Sequence, residues 1–153
     1  MNHFGVSQIC FRENYTVPAE QTARRLFQLL PHGKAYAECL IDAMATGYLV
    51  AVLESICLRE MQWHLNADEE TVVGASVQCH HRGPILPGAV INVTGWVEGL
   101  GDHDATFRVQ AQDDNEQVCD GTIRFSVVRR ELMQRRIDHK CKAIAQRELL
   151  VGE

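Results

Sequence analysis

No uncharged run in this sequence is long enough to span a bilayer. The longest one of helical character, Ala43 to Leu53, is about half of the ~20 residues a transmembrane helix needs. The N-terminus, MNHFGVSQICFREN, lacks the charged start and unbroken apolar core of a secretory signal, so a cytoplasmic protein is expected, with no membrane partner. Basic residues are few, 15 Lys and Arg against 20 Asp and Glu for a net charge of -5. Duplex nucleic acid is therefore a poor fit as partner, although Arg124, Arg129, Arg130, Arg135, Arg136, Lys140 and Lys142 gather in the C-terminal third. Six cysteines are present without a single C-x-x-C pair, which favours reduced thiols over a disulfide framework.

Other signatures are missing too. There is no phosphate loop: Gly99-Leu-Gly101 is followed by Asp102-His-Asp104, a turn rather than a strand-to-helix junction. A G-x-S-x-G nucleophile elbow is absent. In Cys79-His80-His81 neighbouring side chains on a strand point to opposite faces, so only Cys79 and His81 could share an ion. Two ligands fall short of the usual three or four, and no metal is expected.

The 153 residues, 46% hydrophobic, suit one domain over 1–153. Ile9 to Val17 reads as an edge strand bounded by Pro18. Gln21 to Leu30 has apolar residues at helical spacing and is stopped by Pro31-His32-Gly33, while Ala35 to Ala45 is ambiguous. Thr46 to Asn66 is the strongest helix, apolar almost all round through Leu49, Val52, Leu53, Ile56 and Met61, and such a helix must be wrapped by other structure. Strands are expected at Val72 to His81, Ala89 to Glu98, Ala105 to Asp113 and Gln117 to Val128, then a charged, exposed helix from about Glu131 to Leu149. This order predicts an α+β domain with an antiparallel sheet wrapped around a long central helix. The outer rim of that helix still needs cover, and a second copy of the chain supplies it most simply.

Glu54 is the only charge between Gly47 and Leu58. It either points into a cavity or reaches solvent from the helix surface, since an ionised carboxylate is disfavoured in a dry core without a partner. His80 and His81 end a strand whose Val73, Ala75, Val77 and Cys79 read as the apolar face, a series that His81 continues. His80 instead follows Val72, Gly74, Ser76 and Gln78. His81 is thereby the histidine delivered toward the helix, suited to acid or base work or simply a core residue with a satisfied hydrogen bond. Thr46 reads as a helix N-cap, at a helix start whose free N–H groups could also hold a carbonyl oxygen as it gains charge.

Ala45-Thr46-Gly47-Tyr48-Leu49-Val50, then Leu53-Glu54, then Gly74-Ala75-Ser76-Val77 leading through His81 to Pro87-Gly88, together resemble the thioesterases related to fluoroacetyl-CoA thioesterase, a group of the hotdog superfamily. The likeness covers roughly Val17 to Val128. It implies a hotdog fold, hydrolysis of an acyl-CoA thioester without a separate cofactor, and a catalytic set of Thr46, Glu54 and His81. Gly47, Gly74, Pro87 and Gly88 become expected substrate contacts, with the Gly74 N–H on the thioester carbonyl. It further implies a homodimer, or a dimer of dimers, with active sites at the subunit interface. That bears on a difficulty of length: eight helical residues span about 12 Å, so Thr46 and Glu54 of one chain cannot touch if the helix is regular between them. Either the helix begins after Thr46, or the site takes its pieces from both chains. Ala37, Leu40 and Ile41 stand where the fluoroacetate-selective member is aromatic, and Gly121-Thr-Ile-Arg-Phe125 is one residue short of the family's G-T-H-E-R strand motif. Two further readings are a hydratase or dehydratase of a 3-hydroxyacyl thioester, and a non-catalytic acyl-CoA-binding module.

Overall fold

The structure, a computed structural model, describes residues 10–151, with side chains as far as 147. Its five strands are β1 (Cys10–Thr16), β2 (Glu70–His81), β3 (Val90–Leu100), β4 (Asp104–Gln112) and β5 (Gln117–Arg129). They form one antiparallel sheet in the order β1-β3-β4-β5-β2, so β1 and β2 are its edges. The helices are α1 (Ala23–Gln28), α2 (Thr46–Gln62) and α3 (Arg130–Val151). Ile9, expected at the start of the first strand, lies outside the described residues.

Alternation in the central strands fixes which face is dry. Ile91 and Val93 of β3, Phe107 and Val109 of β4, and Ile123 and Phe125 of β5 are all buried. Against them lies α2, with Leu49, Val52, Leu53, Ile56, Cys57 and Met61 buried at three- and four-residue spacing. The opposite side of α2 is uncovered: Gly47, Ala51 and Ser55 are exposed, and Val50 and Glu54 are half-buried. Trp63, expected within the helix, is its C-cap and 81% exposed.

The ambiguous stretch before α2 folds as a 3-10 turn at Ala37–Cys39 and an extended segment tied into its surroundings. Ala23 N–H donates to Ala43 O (2.8 Å), Met44 N–H to Ile85 O (2.7 Å) and Ala45 N–H to Gln21 O (3.1 Å). Thr22 is buried and caps α1 by accepting from Arg25 N–H. Helix α3 is largely exposed, as expected; Leu132, Ile137 and Ile144 all face out. No helix among the described residues is long and apolar enough to cross a membrane.

Candidate functional site

Thr46 and His81 meet. A 2.9 Å hydrogen bond joins Thr46 Oγ1 to His81 Nδ1 across 35 residues of sequence, linking the start of α2 to the end of β2. Thr46 is not the N-cap that its position suggested. Ala45 takes that place, with an extended backbone and no side-chain hydrogen bond, and Thr46 is the first helical residue. Its hydroxyl is thereby spent on His81 instead of on a backbone amide. The first intrahelical bond runs from Leu49 N–H to Ala45 O, which leaves the amides of Thr46, Gly47 and Tyr48 without intrahelical acceptors at the same place. Gly47 also lies against Leu26 of α1, whose Cδ2 would be 3.3 Å from an added methyl.

His81 Nε2 is buried and has no hydrogen-bond partner among the described residues. Burial pushes the imidazole below its ordinary value of 6.5, partly offset by the Gly83 backbone. The ring is therefore neutral at physiological pH. Thiol release that depends on the neutral ring should fall on the acid side of 6.5. The sign for stability follows: the unfolded chain binds the proton more readily, so the contribution is present above pH 6.5 and is lost as pH drops from 6.5 toward the depressed value. A pH–rate profile beside melting temperatures checks both, and an acid limb centred at or above 6.5 would contradict the burial argument.

Glu54 occupies the other end of the site. Its carboxylate lies directly against the backbone of Gly74, where a side chain in place of the glycine would collide with it. The residue is half-buried, neither deep in the core nor fully in solvent, and it faces the edge strand.

The face assignment of β2 needs one correction. In the ladder with β5, Gly74 pairs with Phe125 and Ser76 with Arg124, so Ala75 is an extra, bulged residue. The simple series Val73, Ala75, Val77, Cys79 does not hold across it. Gly74, which alternation assigned to the face of His80, turns inward to Glu54, while His81 still turns inward to Thr46. Seven residues apart, the two would occupy opposite faces of an unbroken strand; the bulge puts them on one.

His80 is on the far face, 3.4 Å from Asp120 Oδ2, and Arg82 Nε donates to Asp120 Oδ1. The Arg82 guanidinium, with help from His80, holds the Asp120 carboxyl below its usual range. One carboxylate thus grips the residues on both sides of His81. Sequence reading missed Asp120, although a lone acid among Val118, Cys119 and Gly121 was a signal. Pro87 and Gly88 form the turn into β3. Gly88 has φ +83°, a left-handed conformation suited to glycine, and its N–H bonds to Val17 O at 2.8 Å.

CoA phosphates need basic partners, and the three arginines best placed in the sequence to supply them, Arg82, Arg129 and Arg130, are each engaged. Arg82 holds Asp120, Arg129 lies 4.0 Å from Glu131, and Arg130 Nε donates to Ala67 O (2.7 Å). Arg124 points outward between buried Ile123 and Phe125 and pairs with Asp104 at 3.0 Å. Burial keeps the buried thiols protonated, raising Cys57 to about 12 and Cys119 as well, so neither supplies a thiolate nucleophile.

An antiparallel sheet wrapped on one long helix, with a Thr–His pair at the helix start and a carboxylate further along it, defines a hotdog-fold thioesterase. The chain belongs to the fluoroacetyl-CoA-specific thioesterase (FlK) family, whose model matches residues 32–131. It is 26% identical over 133 residues to the fluoroacetyl-CoA thioesterase of Streptantibioticus cattleyicolor, covering 87% of this chain and 92% of that protein. A solved variant of fluoroacetyl-CoA thioesterase in complex with fluoroacetate and CoA superposes with a TM-score of 0.73 at 27% identity, over 81% of this chain and 95% of that one. A Thermus thermophilus thioesterase superfamily member shares the fold, with a TM-score of 0.72 at 20% identity over 88% and 93%. The reaction class is hydrolysis of an acyl-CoA thioester.

Proposed function

We propose that this chain hydrolyses an acyl-CoA thioester in sites built from two copies of itself, Thr46 and His81 coming from one and Glu54 and Gly74 from the other. The observation that carries the chemistry is the Thr46–His81 hydrogen bond, which leaves the second ring nitrogen of a neutral imidazole free for a reacting group. Helix α2 is continuous from Thr46, which removes a late helix start as the way to unite Thr46 with Glu54; about 12 Å of helix separates them within one chain. Residues 74–78 in the middle of edge strand β2 are exposed, including Val77 at 42%. A long bare edge is an open template for another strand. Antiparallel pairing of two β2 strands about a two-fold axis at Gln78, with the Ala75 bulge retained, sets Gly74 of one copy opposite His81 of the other.

In that arrangement Glu54 attacks the thioester carbonyl or activates a water for the attack. The N–H groups at Gly74 or at the start of α2 hold the oxyanion, the neutral ring of His81 takes up a proton from the water consumed in the hydrolysis and passes it to the departing thiolate, and Thr46 fixes the ring. Thiol release against short, branched, aromatic and long acyl-CoAs tests the reaction. Free CoA with no enoyl absorbance is expected; an enoyl product would instead mean dehydration, and binding without turnover a non-catalytic module.

Assembly has its own test. Light scattering at micromolar concentration should show a dimer or a multiple of it, and Val77→Lys should shift it toward monomer with at least a tenfold loss of turnover, because two like charges would then lie as diagonal neighbours on either side of the axis. An active monomer would remove the shared site.

A further inference from the structure

Next to the ring of His81, which forms part of its wall, lies an open groove with room for about 410 Å³, lined by Ala23, Ile41, Ala43, Met44 and the Arg82–Pro84 segment. We propose that it receives the acyl group and selects thioesters with an apolar acyl body of about four to eight carbons, branched or ring-bearing chains included. This rests on the hydrolase reading above. Its walls are fixed by backbone hydrogen bonds, from Ala23 to Ala43 and from Met44 to Ile85. Its room comes from side-chain size, since Ala23 and Ala43 contribute a single methyl each.

Two observations favour the acyl group over the pantetheine arm of CoA. The arm carries amides that must keep hydrogen bonds, whereas the wall's Ala43 carbonyl and Met44 amide are already paired. The one cation at the rim, Arg82, is held by Asp120, so an acyl carboxylate finds no free partner there. Size sets the range. A cavity of about 150 Å³ is enough for a benzene ring, so a two-carbon acyl group would leave most of this wall wet. Ile41, 77% exposed at the mouth, is available to cover a longer chain.

The experiment is kcat/KM for thiol release from acetyl-, butanoyl-, hexanoyl-, 3-methylbutanoyl-, phenylacetyl-, decanoyl- and succinyl-CoA. Each methylene from acetyl to hexanoyl should raise it about fourfold, the factor expected for burying one such group, with no further gain at decanoyl and no preference for succinyl. Ala23→Leu and Ala43→Leu, which fill the cavity, should each lower the hexanoyl-to-acetyl ratio about tenfold. A flat series, a preference for acetyl or succinyl, or a ratio unmoved in both folded variants would overturn the proposal. Should no thioester release thiol, the hydrolase reading fails, and calorimetry then judges the pocket: hexanoyl-CoA binding tenfold tighter than acetyl-CoA supports it, and equal affinity overturns it.

Discussion

Glu54→Gln is expected to lower thiol release by about three orders of magnitude, the scale of a lost nucleophile or general base, with melting temperature unchanged or slightly raised. The reason is where the carboxylate stands. Helix α2 buries its other side on the sheet, and Glu54 projects from the uncovered side against the bare backbone of Gly74. It makes no hydrogen bond or ion pair among the described residues, so the fold loses nothing when the charge goes. The amide has nearly the same shape but can neither attack a carbonyl nor take a proton from water. Thiol release and melting temperature measured on one preparation make the comparison. Near wild-type turnover in the Gln variant, across the whole acyl-CoA panel, would take Glu54 out of the mechanism and leave the fold and the Thr46–His81 pair standing.

The second large effect separates two adjacent histidines. His81→Ala should reduce turnover by about two orders of magnitude or more, while His80→Ala should change it less than about threefold. Both rings sit at the end of β2, yet they work on different faces: His81 bonds Thr46, and His80 lies beside Asp120 on the far side of the sheet. An equal loss in the two variants would mean that the strand end, and not the ring at 81, carries the effect. The reverse ranking would overturn the assignment of faces.

Much of the fold was legible because its periodicities are strong. The strands from β3 to β5 begin and end within about two residues of their expected limits, since alternating Val, Ile and Phe report one buried face directly. Helix α2 starts at Thr46 as expected and ends four residues before Asn66. Helix α1 is shorter than Gln21 to Leu30, because Thr22 is committed as its cap and Gly33 packs tightly on the Phe27 backbone. Thr46, Glu54 and His81 stood out as candidates for local reasons: a threonine at a helix start, a lone acid on an apolar helix, and a histidine continuing an apolar strand.

By itself, then, the sequence determined the elements, the dry face of the sheet, and which three side chains were chemically unusual where they stand. These follow from local spacing and burial preference, which need no knowledge of distant residues. Only the tertiary structure decided how those side chains meet. The bulge at Ala75 turns Gly74 and His81 to the same face, and strict alternation cannot anticipate it because a bulge depends on how β2 registers with β5. The Thr46–His81 bond and the Asp120 grip on Arg82 and His80 each join segments more than 30 residues apart. The cavity next to His81 exists because two alanines from different segments come together beneath a turn. Such contacts are set by packing, and packing is a property of the folded chain rather than of any window of its sequence.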